Sequence, residues 1–269
     1  MPTFLHDGFR IAYEQRGRKT GAAERPIVLV HGLLFSRMHH YGLADALAER
    51  GNRVVLIDLL GHGESDRPPH SRHYRMEFFA SQVIALMDHL DIPEAAVGGT
   101  SLGANVTLEV AAAAPERCRA LFIEMPVLER AAPAAALIFV PLAITYSQGA
   151  PLLRMVAKLA GRAPQGFGLY PDVLRELLTR DPIVSAAVLH GLLTGRIAPH
   201  PDDRAKMDIP SFIVGHQRDV LHAFSDAEAL GRELAEARVV QANSFFELRF
   251  PPNRLSDALG DFLDEVWMS

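Results

Sequence analysis

Four short, continuous apolar runs stand in the first half of the chain, at residues 26–30, 54–57, 95–97 and 121–123, and a segment with helical spacing follows each of the first three. An unbroken run of Val, Ile, Leu and Ala this short reads as a strand buried on both faces. Strands that alternate with helices predict a mostly parallel α/β sheet with helices on both faces. Ahead of them, residues 4–5 and 9–13 flank Asp7-Gly8, a pair that tolerates positive φ and suits a two-residue hairpin, so an antiparallel edge opens the chain. The alternation lapses over residues 126–205, which are helical, apolar and rich in Pro and Gly. It resumes with strands at 209–214 and 238–240 and helices at 226–236 and 255–266. We therefore expect one α/β core, residues 1–125 and 206–269, interrupted by a helical cap at 126–205.

Composition removes several classes of function. Twenty-seven basic against thirty-two acidic residues give a net charge of -5, which leaves no general positive field for a phosphate backbone, so no nucleic-acid partner is expected. The single cysteine, Cys118, can form neither an intrachain disulfide nor a paired-cysteine zinc site. His39-His40 and His70-x-x-His73 lack acids at ligand spacing, so no metal or other cofactor is expected. The longest uncharged stretch, residues 131–153, matches a bilayer in length, yet Pro133, Pro141, Gly149, Pro151 and a polar Thr145-Tyr146-Ser147-Gln148 interrupt it. Broken helices are expected there, with no integral membrane segment. The first residues carry an acid at Asp7 and no apolar stretch, which predicts no secretory signal and a cytoplasmic protein; a homodimer is allowed.

The chemistry centres on Gly99-Thr100-Ser101-Leu102-Gly103, between a predicted strand and a predicted helix. A sharp strand-to-helix turn pushes its central Ser into a strained, exposed position, and small residues two before and two after let the chains pass closely. The N–H of Leu102 then lies at a helix N-terminus, where negative charge is favoured. The competing reading is a Ser that merely caps the helix. His31-Gly32 follows the first parallel strand and sets the N–H of Leu33 as a second oxyanion donor, and Asp58-Leu59-Leu60-Gly61-His62-Gly63-Glu64-Ser65 follows the next strand.

In these three motifs, taken in order, the chain resembles the α/β-hydrolase fold family over residues 26–124 and 209–268. The resemblance implies Ser101 as nucleophile, with Asp58, His31 and His62 shaping loops. It implies an acid at Asp219, in the turn after the late strand, with Glu124 as the alternative that some relatives use. The family's general base, a His after the last strand, falls by counting back from Pro252 and from Phe262-Leu263 on Phe245. His222 is the last of the twelve histidines, so no gap in the alignment restores that base. An enzyme lacking a triad member keeps only about 10³ to 10⁴ over water.

Three readings stay open. A His from elsewhere reaches Ser101, with His222 and His216 the candidates and His39, His40 or His190 further ones. Alternatively Glu247 or Glu124, with a pKa raised by burial, acts as base. In the third reading the site no longer hydrolyses anything. The leading expectation is a carboxylesterase-like acyl hydrolase acting through Ser101 on a small apolar substrate, because residues 134–144 and 151–159 would line the cap with apolar side chains. The alternative is a ligand-binding member of the same fold.

Overall fold

The computed structural model describes residues 1–17, 24–162, 169–217, 219 and 221–268. The Pro- and Gly-dense stretch at 163–168 and Arg218, beside the expected acid, lie outside the described residues. Eight strands form one sheet: β1 (Thr3–His6), β2 (Phe9–Arg16), β3 (Pro26–Val30), β4 (Arg53–Ile57), β5 (Ala95–Thr100), β6 (Cys118–Glu124), β7 (Ser211–His216) and β8 (Ala237–Ala242), in the order β1-β2-β4-β3-β5-β6-β7-β8. Pairings from β4 through β8 are parallel, while β1–β2 and β2–β4 are antiparallel. Asp7 and Gly8, at φ 50° and 84°, make the expected hairpin turn.

Alternation along the strands divides the core into two layers. Val28, Val30, Val55, Ile57, Leu121 and Ile123 pack toward α2 (Met76–His89) and α3 (Leu102–Ala113). Their sequence neighbours Ile27, Leu29, Val54, Leu56 and Phe122 pack on the opposite face with α1 (Tyr41–Glu49) and α10 (Arg254–Met268). A strand with side chains buried on both faces has to be apolar at every position, which is why these runs do not alternate with polar residues. The helix expected at 226–236 is α9 (Phe224–Glu233), and β8 is longer than residues 238–240.

Between β6 and β7 stand α4 (Ala132–Gln148), α5 (Ala150–Ala160), α6 (Leu169–Thr179), α7 (Pro182–Thr194) and α8 (Pro201–Arg204). Polar groups fasten both ends of this insertion to the core. The Asp226 carboxylate accepts from the N–H groups of Leu128, Arg130 and Ala131, and fully buried Arg204 bridges Glu129 and Glu233. Further along, Ser36 Oγ donates to Glu176 on α6 at 2.6 Å, and Arg180 donates to the carbonyls of Leu34 and Gly61. The uncharged stretch is indeed broken: α4 and α5 meet at 85° around Gly149. Among the described residues no single helix is long and apolar enough to cross a membrane.

Candidate active site

Ser101 occupies the turn from β5 into α3 with φ 54° and ψ -109°. A side chain at positive φ carries backbone strain of about 1–3 kcal/mol. The strain is held in place from both sides, because a Cβ on Gly99 or on Gly103 would run into the carbonyl of Val30. The Ser101 hydroxyl makes no capping bond to the helix, so the capping interpretation has no support in the geometry. Replacing Ser101 by Gly is accordingly expected to stabilise the fold by about 1–2 kcal/mol, read as a rise in the urea midpoint. No gain in midpoint would show the turn to be unstrained.

The hydroxyl lies instead 2.9 Å from Nε2 of His222, and Nδ1 of the same ring lies 2.9 Å from Oδ2 of Asp219. These contacts set the tautomer: Nδ1–H donates to the carboxylate, which leaves Nε2 to accept from the serine. Asp219 also accepts from the N–H groups of Leu221 and His222, so the carboxylate that faces the His222 ring forms an Asx turn as well. Burial alone would raise the Asp219 pKa, but its hydrogen bonds to His222 and Leu221 and the charge of the imidazole outweigh burial and bring it to about 2. The carboxylate is therefore ionised at neutral pH.

Of the two histidines named as candidate bases, the structure brings His222 to Ser101 and not His216. His216 ends β7 and directs Nε2 at Glu124 Oε1, 3.7 Å away. Glu124, the alternative acid, does not touch His222. It is fully buried, accepts from Thr100 and pairs with Arg249. Burial pushes its pKa up, but the Arg249 charge, the nearby His216 ring and the bond from Thr100 prevail, so it sits at about 2. That is opposite to what a carboxylate base requires, and Glu247 is likewise engaged elsewhere, with the Asn243 N–H and Arg254. Phe245, at the position expected for His, packs near His39 and Phe246 with the Arg249 guanidinium over its ring. Arg249 was not anticipated from the sequence.

The loop-shaping residues behave as expected. Buried His31 accepts from the Leu59 N–H through Nε2, buried His62 bonds the Leu60 carbonyl, and buried Asp58 holds Arg37 and the Glu64 N–H. A cavity of about 310 Å³ opens at Ser101. Its walls include Leu33, Leu102 and Asn105 from the core, Ala132, Ala135 and Phe139 of α4, and Leu189 and Leu192 of α7. Leu102 is the first residue of α3, so its N–H has no acceptor within the helix. Among the described residues no three His, Cys, Asp or Glu side chains are grouped to hold a metal ion.

Comparison with known proteins agrees with this architecture. A family model described as alpha/beta hydrolase fold matches residues 25–160, just over half of the chain. In sequence the chain is similar to the dihydrolipoyllysine-residue acetyltransferase component of the acetoin cleaving system of Pseudomonas putida, 41% identical over 108 residues, which cover 38% of this chain and 26% of that protein. It thus spans about a quarter of that relative's length. In structure it is similar to the enol-lactonase from Burkholderia xenovorans LB400, at TM-score 0.77 and 20% identity over 100% of both chains. A thermophilic esterase from Thermogutta terrifontis gives TM-score 0.74 and 21% identity over 98% of this chain and 97% of that one. At such identities the two structural likenesses concern the fold. On the strength of the matched half of the sequence, the chain belongs to the α/β hydrolase fold family.

Proposed function

We propose that the protein is a serine hydrolase that cleaves small, apolar carboxylic esters. The observation that carries this reading is the continuous chain of contacts from Ser101 Oγ to His222 Nε2 and from His222 Nδ1 to Asp219, each 2.9 Å. A serine hydroxyl is a weak nucleophile until a base takes its proton, and here the base stands within transfer distance. In this mechanism Ser101 Oγ attacks the ester carbonyl while His222 Nε2 takes its proton. The carbonyl oxygen becomes an oxyanion held by the N–H groups of Leu33 and Leu102, with the α3 dipole behind Leu102. His222 then gives the proton to the leaving alcohol as the C–O bond breaks, and the acyl group stays on Ser101. Water, deprotonated by the same nitrogen, releases the acid. Asp219 stays ionised throughout and holds the ring in one tautomer.

The cavity supports an apolar acyl or alkyl group, because Met76, Val127, Phe139 and Ile197 line it alongside the serine. Residues 126–205 act as its cap on this reading, with α4 and α7 as the roof. The lactonase and esterase among its structural neighbours agree with ester chemistry on this fold; Ser101, Asp219 and His222 keep the usual chain order, and the departure lies only in the histidine's place, in the turn after β7 and not after β8.

Intact-mass labelling with a small fluorophosphonate tests the proposal. Stoichiometric labelling of the unaltered protein is expected, with loss in Ser101→Ala and a reduction by at least about 10³ in labelling rate in His222→Ala. A protein that enters no covalent adduct, yet gains melting temperature from an apolar ester analogue, would be the ligand-binding alternative instead.

A further inference from the structure

Helix α4 exposes Leu137, Val140, Pro141 and Ile144, and α5 exposes Leu152, Met155, Val156 and Leu159. Within each helix these positions are spaced i, i+3, i+4 and i+7, which makes one continuous apolar stripe. The usual arrangement turns such a stripe toward the core, whereas here Leu137 is 78% exposed and Leu152 62%. α4 is apolar on its inner side too, where Ala132, Ala135 and Phe139 line the cavity at Ser101. A helix apolar all round and open to water calls for a covering surface.

Charge indicates which surface. From residue 131 to residue 171 there is no Asp or Glu, and the only charged side chains are Arg154, Lys158 and Arg162, in a protein whose net charge is -5. Arg154 and Lys158 lie one turn apart beside the α5 stripe, and all three are exposed. Arg154 is partly balanced by Asp181, 3.7 Å away. We propose that the α4–α5 face docks on an anionic lipid surface, with the two stripes in the acyl boundary and the cations at the headgroups. A second copy of the chain is the weaker occupant, because a two-fold contact would set this acid-free basic patch against itself. The helices lie on the membrane and do not cross it: at 17 and 11 residues and bent by 85°, neither reaches across the hydrocarbon core. Docking in this way would put the roof of the Ser101 cavity against the lipid phase, although the surface itself does not depend on the catalytic reading.

Flotation of the purified protein with phosphatidylcholine vesicles, with and without phosphatidylglycerol, tests this. Binding is expected to the anionic vesicles at low salt, and to weaken as salt is added. Lys158→Gln with Arg162→Gln should weaken it about 25-fold, about fivefold per charge. Leu152→Ser with Leu159→Ser should weaken it about 100-fold. Both variants alter exposed side chains, so unchanged melting curves show that the fold is kept. Equal binding to neutral and anionic vesicles, or binding to neither, overturns the proposal. So does sedimentation that reveals a dimer dissolved by the leucine changes in a protein that ignores vesicles.

Discussion

On the proposed mechanism, His222→Ala is expected to lower kcat/KM for a short aryl ester by a factor on the order of 10⁴ to 10⁶, and the double variant with Ser101→Ala to lose no more than either single change. The two side chains act as one unit: without a base at Nε2 the hydroxyl keeps its proton, and without the hydroxyl the base has nothing to activate. Asp219→Asn is expected to cost on the order of 10⁴, because an amide in that place favours the wrong tautomer of the ring. His216→Ala should leave the rate within about tenfold, since His216 faces Glu124 and not the serine. Phe245→His should bring no gain, because on the proposed reading His222 already serves Ser101 as proton acceptor. Steady-state kinetics on the six variants decide the matter, and a His222→Ala protein that keeps a tenth of the activity would remove this histidine from the mechanism.

The second large effect is on stability in mild acid. His31, His39, His40 and His62 are all buried, and burial pushes each pKa down from its ordinary 6.5. His31 falls to about 4, with the Asp58 charge opposing the shift, and His40 to about 3, with Arg249 adding to it. His39, also beside Arg249, and His62, near Arg180, fall well below 6.5. Above pH 6.5 all four are neutral in folded and unfolded chains alike. Below it the unfolded chain takes up protons that the folded chain refuses, so stability falls, and each ring contributes up to about 1.4 kcal/mol per pH unit until its folded pKa is reached. Four such groups amount to several kcal/mol between pH 6.5 and 5, against a typical total of about 5–15. Glu124 and Asp219, both lowered to about 2, act in the same direction only below their ordinary values of 4.5 and 3.8. Urea unfolding at pH 7.5 and 5.5 measures the net effect, in which Glu109 and Glu176, their pKa values raised by burial, oppose the histidines, and a difference under about 1 kcal/mol would contradict it.

Much of the fold was legible because it rests on local signals. The Asp7-Gly8 hairpin, the doubly buried strands and the strained serine between Gly99 and Gly103 each follow from a few adjacent residues. What could not be read depends on contacts far apart in sequence. Arg249 meets Glu124 across 125 positions, and nothing near Arg249 marks it as the partner of a buried acid. The Asp219-x-x-His222 spacing was visible, yet a turn of that composition is equally at home on any surface. Only the 2.9 Å approach to a serine 121 residues earlier distinguishes it. Expecting the histidine after the last strand led to Phe245, whose ring the structure finds stacked under Arg249.

Asp219 and His222 sit on one turn and are tied to each other by both side-chain and backbone bonds. On the proposed reading, acid and base then travel as a cassette: a graft of four residues would carry both into a related scaffold, with a single loop to register against the serine. The polypeptide beyond His222, including β8 and α10, is thereby released from chemistry. It can drift in sequence wherever packing and its polar ties, those of Asp226, Glu233 and Arg249 to the rest of the fold, are kept.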